Sequence, residues 1–140
     1  GERPAERGYP CFRLKPMPEE LDMGGGLKIR SVSLPHGPVE TLGLVFECGG
    51  KRVAYYTDCK SLPPRAEELA AGADVLAIDC LRLKPHPSHM TLSEALEAVG
   101  RLAPKRAFLT HTTSHIDFGK IERTLPENCH IAYDGLTVEA

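Results

Sequence analysis

Leu34-Pro35-His36-Gly37, Tyr56-Thr57-Asp58 and Leu109-Thr110-His111 each carry an imidazole or a carboxylate just beyond a run of apolar residues. The runs read as buried strands, and chain leaving a strand projects its side chain from the rim of a sheet. Rims and the loops on them are where a rigid scaffold usually holds reactive groups. A fourth segment, Pro87-Ser88-His89-Met90, falls between the second and third. Four such residues in one short chain turn an ordinary pattern into a candidate site.

Outward from these points the periodicity supplies the elements. Leu27 to Leu34 alternates apolar and polar, the period of a strand with one wet face. Thr41 to Glu47 and Arg52 to Tyr56 flank Gly49-Gly50, which can take the positive φ of a tight hairpin turn. Pro63-Pro64 opens a short helix ending near Gly72. Val75-Leu76-Ala77-Ile78 is apolar throughout and predicts a strand covered on both faces. Thr91-Leu92-Ser93-Glu94 has capping-box spacing, and Leu92, Ala95, Leu96, Val99 and Leu102 then form one helical stripe. Ala107-Phe108-Leu109 predicts a further buried strand, and residues 117–125 a helix. Ile131 to Tyr133 and Leu136 to Val138 predict a closing hairpin across Asp134-Gly135. This order gives an α/β fold, a mixed sheet with helices on one face.

Residues 1–26 are rich in Pro, Gly and charge, so they are expected to form a largely irregular connector, with a short strand near Cys11 to Leu14. Residues 27–140 are expected to form the folded domain. At 140 residues the chain suits one domain with a real core. Its formal net charge of −2 is interspersed, so no basic face marks a nucleic-acid partner. No apolar run approaches the ~20 residues a membrane helix needs, and no secretory signal is visible, so the expected location is cytoplasmic. The five cysteines, Cys11, Cys48, Cys59, Cys80 and Cys129, lack Cys-x-x-Cys spacing and are expected to be mostly buried thiols. The chain begins with Gly rather than Met, which fits a processed chain, a tag remnant or a fragment.

The segments around His36, Asp58, His89 and His111, in this order, resemble the C-terminal half of a metallo-β-lactamase-fold hydrolase. The phosphodiesterase branch, with RNase Z and the cyclic phosphodiesterase of phosphonate breakdown, is most similar. Gly8-Tyr9-Pro10 resembles the connector that follows the first half of that fold. The resemblance implies half of an αββα sandwich, short of one covering layer. It also implies a dinuclear site for two divalent ions, zinc or manganese, with His36, Asp58 and His111 as metal ligands. His89 is implied as the catalytic proton donor to the leaving group. Imidazole and carboxylate suit such ions, and histidine suits proton transfer near neutral pH. His115, four residues past His111, is expected to support the site by a hydrogen bond.

The motif His-x-His-x-Asp-His, which supplies most ligands in the family, is absent from the sequence. Each residue also has a plainer reading: His36 as a turn residue, Asp58 as a helix cap or Asx turn, His111 as a core histidine, and His86 and His89 as exposed loop residues. Cys59, beside Asp58, has no positioned base and reads as a packing thiol. Two functions follow. One is a hydrolase of phosphodiesters or small phosphate esters, represented by its C-terminal half. The other is a truncated or split, non-catalytic half-domain serving as an interaction module. Either calls for a companion: the first half of the fold, a separate chain, or a second copy.

Overall fold

The computed structural model describes residues 14–114 and 116–140. One seven-stranded sheet runs in strict chain order: β1 (Glu20–Gly24), β2 (Leu27–His36), β3 (Val39–Cys48), β4 (Lys51–Tyr56), β5 (Val75–Asp79), β6 (Arg106–Thr110) and β7 (Cys129–Ile131). The first four pair antiparallel and the last four parallel. The fold is therefore the mixed α/β sheet expected of a metallo-β-lactamase half-sandwich. Each parallel step needs a crossover, and crossovers are right-handed. Because the sheet grows in one direction, every crossover lands on the same face. α1 (Pro64–Ala70), α2 (Leu92–Leu102) and α3 (Phe118–Ile121) are the helical elements of these steps.

The local signals explain the element ends. Gly49 and Gly50 have φ of 57° and 77°, the values of the two-residue turn joining β3 to β4. α2 starts on a complete capping box: Glu94 N donates to Thr91 Oγ1 (3.2 Å), and Thr91 N donates to Glu94 Oε2 (2.7 Å). At the start of β5, the Asp74 carboxylate accepts from Lys105 Nζ (2.7 Å) and Arg52 N (2.8 Å). Those bonds, the Lys105 one foremost, hold its pKa down to about 2.

Three expectations are corrected. The connector proposed as irregular to residue 26 contributes β1, whose carbonyls and amides pair with β2; strand ladders tolerate a polar sequence when a neighbouring edge is free. The closing hairpin forms only its first strand. β7 pairs parallel to β6, and after the turn at Gly135 the segment carrying Leu136 and Val138 lies beside Phe108 and His130 without pairing as a strand. The helix over 117–125 shortens to α3 and a 3₁₀ turn (Glu122–Thr124). Leu125 is extended, as a residue before proline prefers to be. The strand proposed at Cys11 to Leu14 lies outside the described residues except for Leu14, which is exposed and not in a strand.

The two faces of the sheet differ. Leu34, Val45, Ala54, Tyr56, Leu76, Ile78, Ala107 and Leu109 point to the helices and are completely buried. They pack with Ala66, Leu69, Ala95, Val99 and Leu102 of α1 and α2 in one core. Across the opposite face the register aligns Ile29, Phe46, Val53 and Val75 in one row and Leu44, Tyr55, Ala77 and Phe108 in the next. No described helix covers these rows. Leu42 and Tyr55 there are 47% and 45% exposed.

Candidate metal centre

β2 and β4 run in the direction of β5 and β6, because β3 reverses between them. The four strands therefore end on one rim, and each ends on or beside a reactive side chain. His36 closes β2, Asp58 follows β4 by two residues, Asp79 closes β5 and His111 follows β6. The shared rim expected for His36, Asp58 and His111 is what the topology produces.

Backbone conformation turns these residues inward. Asp58 and His111 have φ of 59° and 63°, in the left-handed region. A strand that enters that region stops pairing and swings its next side chain off the sheet direction. The Asp58 turn is pinned: Thr41 Oγ1 donates to Asp58 O (2.8 Å), Cys59 N to Asp79 Oδ2 (3.2 Å) and Lys60 N to Pro35 O (2.7 Å). The turn after His36 packs on the His89 loop so closely that a Cβ on Gly37 would lie 3.2 Å from Ser88 Cβ.

The side chains converge. His36 Nε2 lies 3.1 Å from Asp58 Oδ1, and His111 Nε2 lies 3.8 Å from the same oxygen. His89 Nε2 faces His36 Nε2 at 3.2 Å, and its ring stacks on His111 with centroids 4.8 Å apart. Ligand atoms of Asp58, Asp79, His89 and His111 all fall within 4.8 Å of one another. Asp58 and His111 are about two-fifths exposed, so the cluster opens to solvent on one side. Imidazole nitrogens and carboxylate oxygens crowded in this way suit a divalent metal ion.

Asp79 is the residue that sequence reasoning passed over. It is completely buried, and its carboxylate accepts from His89 Nδ1 (2.9 Å), Met90 N (3.0 Å) and Cys59 N (3.2 Å). A buried charge is tolerated only with such a full set of donors. A signal was present: an acid closing the apolar run Val75 to Ile78 is the same strand-exit pattern that singled out the other residues.

The remaining candidates sort by contact. His86 is half-buried rather than exposed; it accepts from Ser88 N (3.3 Å) and its ring lies 4.9 Å from that of His89. Burial, then the charge of Arg82, lowers its pKa. Cys59 is buried, and burial followed by Asp79 and Asp58 pushes its thiol up to about 12, which suits a packing thiol. His115 lies outside the described residues.

The sequence of residues 3–112 matches the Beta-lactamase superfamily domain, and the chain belongs to that family. It is similar to a diphosphatase from the PhnP family, at 34% identity and a TM-score of 0.80, covering 87% of this chain and 46% of that one. Human tRNase Z, short form, shares the fold at 18% identity and a TM-score of 0.68, covering 86% of this chain and 46% of that one. An octanoyltransferase from Porphyromonas gingivalis (strain ATCC BAA-308 / W83) is 30% identical over 112 residues, 79% of this chain and 22% of that protein. The chain thus spans about half the length of these structures and about a fifth of the curated relative.

Proposed function

We propose that this chain carries the C-terminal half of a dinuclear metal-dependent hydrolase acting on phosphodiesters or related small phosphate esters. The observation that supports it most is the convergence of His36, Asp58 and His111 beside a histidine backed by a buried carboxylate. In this reading His36, Asp58 and His111 would hold two divalent ions together with further ligands from a companion segment or chain. When bound, such ions activate water and neutralise phosphate oxygens.

The chain's own residues account for the proton. Nδ1–H of His89 donates to Asp79, which fixes the ring and leaves Nε2 directed at the cluster. With the ring cationic, Nε2–H is the proton delivered to the departing alcohol oxygen, and Asp79 stabilises the charge. Asp79 is a positioning residue in this scheme. Lys60 steadies the loop, donating to His89 O (3.3 Å) and to Glu94 Oε1 (2.6 Å). Acyl transfer, the activity in the name of the P. gingivalis relative, has less support, since Cys59 and Cys80 beside the cluster are completely buried and burial raises the pKa of both thiols.

In a complete enzyme, His89→Ala should lower kcat strongly and leave metal content intact. Loss of metal in that variant would make His89 a ligand instead. By itself the chain should be a poor hydrolase, because catalytic zinc usually has three protein ligands plus water. Intact-mass analysis with metal quantification tests this: a 15.3 kDa monomer holding two ions and cleaving bis-phosphodiesters would refute it. The second reading, a non-catalytic half-domain serving as an interaction module, rests on the absence of His-x-His-x-Asp-His from the sequence.

A further inference from the structure

His89 has its ring oriented by a buried carboxylate. Nδ1 donates to Asp79 Oδ2 (2.9 Å), and Asp79 is completely buried. A histidine that binds a metal characteristically gives its other ring N–H to a carboxylate in this way, which fixes the tautomer and makes the free nitrogen a better ligand. With that proton committed, Nε2 of the neutral ring carries a bare lone pair, and it faces His36 Nε2 at 3.2 Å. Asp58 Oδ1, a second acceptor, faces the same His36 nitrogen at 3.1 Å. One Nε2–H on His36 cannot point squarely at both, so a proton satisfies this corner of the cluster only in part. A cation placed among the three atoms satisfies all of them.

The spacings suit ligands of a single ion. Bonds of about 2.0–2.2 Å in a tetrahedral set leave neighbouring ligand atoms about 3.3–3.6 Å apart. The His36 contacts, at 3.1 and 3.2 Å, fall just inside that spacing. His111 Nε2, 3.8 Å from Asp58 Oδ1, supplies a fourth atom at slightly longer reach. Asp79 belongs to the same crowded group, but its oxygens already accept from His89, Met90 and Cys59, so it supports a ligand instead of acting as one. We infer that this chain on its own binds one divalent ion, with His89 Nε2 as a ligand beside His36, Asp58 and His111. The inference rests on the metal-dependent reading above and goes beyond it, since that reading leaves His89 to proton transfer. The two roles belong to different states. Where a companion supplies further ligands, His89 is released to carry the proton; without them its Nε2 closes the site.

The test uses the chain as it is. It is titrated with zinc while the histidine rings are followed in long-range proton–nitrogen correlation spectra. One equivalent should saturate the change, moving Nε2 of His36, His89 and His111 together while His89 Nδ1 keeps its proton. Cobalt at the same ratio should give the intense visible bands of a four-coordinate ion. His89→Ala should weaken cobalt binding by about tenfold or more and dull those bands. Amide spectra of the metal-free variant show whether it folds, and if it does not, the wild-type ring spectra decide. A His89 Nε2 that stays in place while His36 and His111 move, a second equivalent bound as tightly as the first, or unchanged cobalt affinity in folded His89→Ala would each overturn the inference and leave the two-ion hydrolase reading standing. No movement of any of the three rings would remove the metal centre itself, and the inference with it.

Discussion

The two faces of this sheet are built from the same strands and differ in what lies over them. On the helical face the side chains of β2 to β6 vanish into a core, with Leu34, Leu76, Ile78 and Leu109 completely buried. On the other face Ile29, Phe46, Val53 and Leu44 stand in equally regular rows but are only partly shielded. Alternation along a strand costs nothing on a wet face when the outward residues are polar. Here both sets are largely apolar, so the strands carry the composition of a sheet covered twice. The covered face supplies stability to this chain; on the open face Leu42 and Tyr55 stay 47% and 45% exposed.

That contrast can be broken by substitution. The largest effect is expected for Leu76→Ala, a cavity in the covered core that should cost about 2–5 kcal/mol in urea unfolding. A loss below about 1 kcal/mol would mean that the core is loosely packed. Gly43→Ala comes next. Its Cβ would lie 2.8 Å from Leu34 Cδ1 and from Tyr56 Cδ1, and overpacking of this kind should cost about 1–3 kcal/mol by the same measurement. Thr91→Ala removes the hydroxyl that caps α2, the main cover of that face. About 1 kcal/mol should be lost, and no change would show that tertiary packing alone holds the helix start.

Tyr55→Thr on the open face should give the smallest effect, within about 0.5 kcal/mol in this chain. The same change should weaken assembly with whatever covers the face, read by sedimentation or size exclusion. A destabilisation comparable to Leu76→Ala would show that the open face is already packed.

How far the sequence discloses this arrangement depends on the kind of signal. The strand exits at His36, Asp58 and His111 were legible because an apolar run that stops on a polar residue marks both an element and its end. The helix stripe of Leu92 to Leu102 was legible for the same local reason. Asp79 shows the same strand-exit pattern at the end of Val75 to Ile78, but its buried role depends on donors 10 and 20 residues away, which no local pattern shows. β1 was masked by composition, since Glu20 to Gly24 has no apolar alternation and is a strand only because β2 offers it an edge. The final hairpin failed for the converse reason. Leu136 and Val138 alternate like a strand, yet the segment settles beside Phe108 and His130 instead of forming a ladder.

Asp58 and His111 sit where L-residues are strained, a conformation that costs most side chains of order 1 kcal/mol and glycine almost nothing. Selection for thermal endurance alone, in a library of this domain with no demand on chemistry, should therefore enrich Gly at 58 and 111 ahead of other positions on the rim. A relative carrying glycine at both positions would keep the two turns and lose the carboxylate and imidazole that converge with His36 and His89.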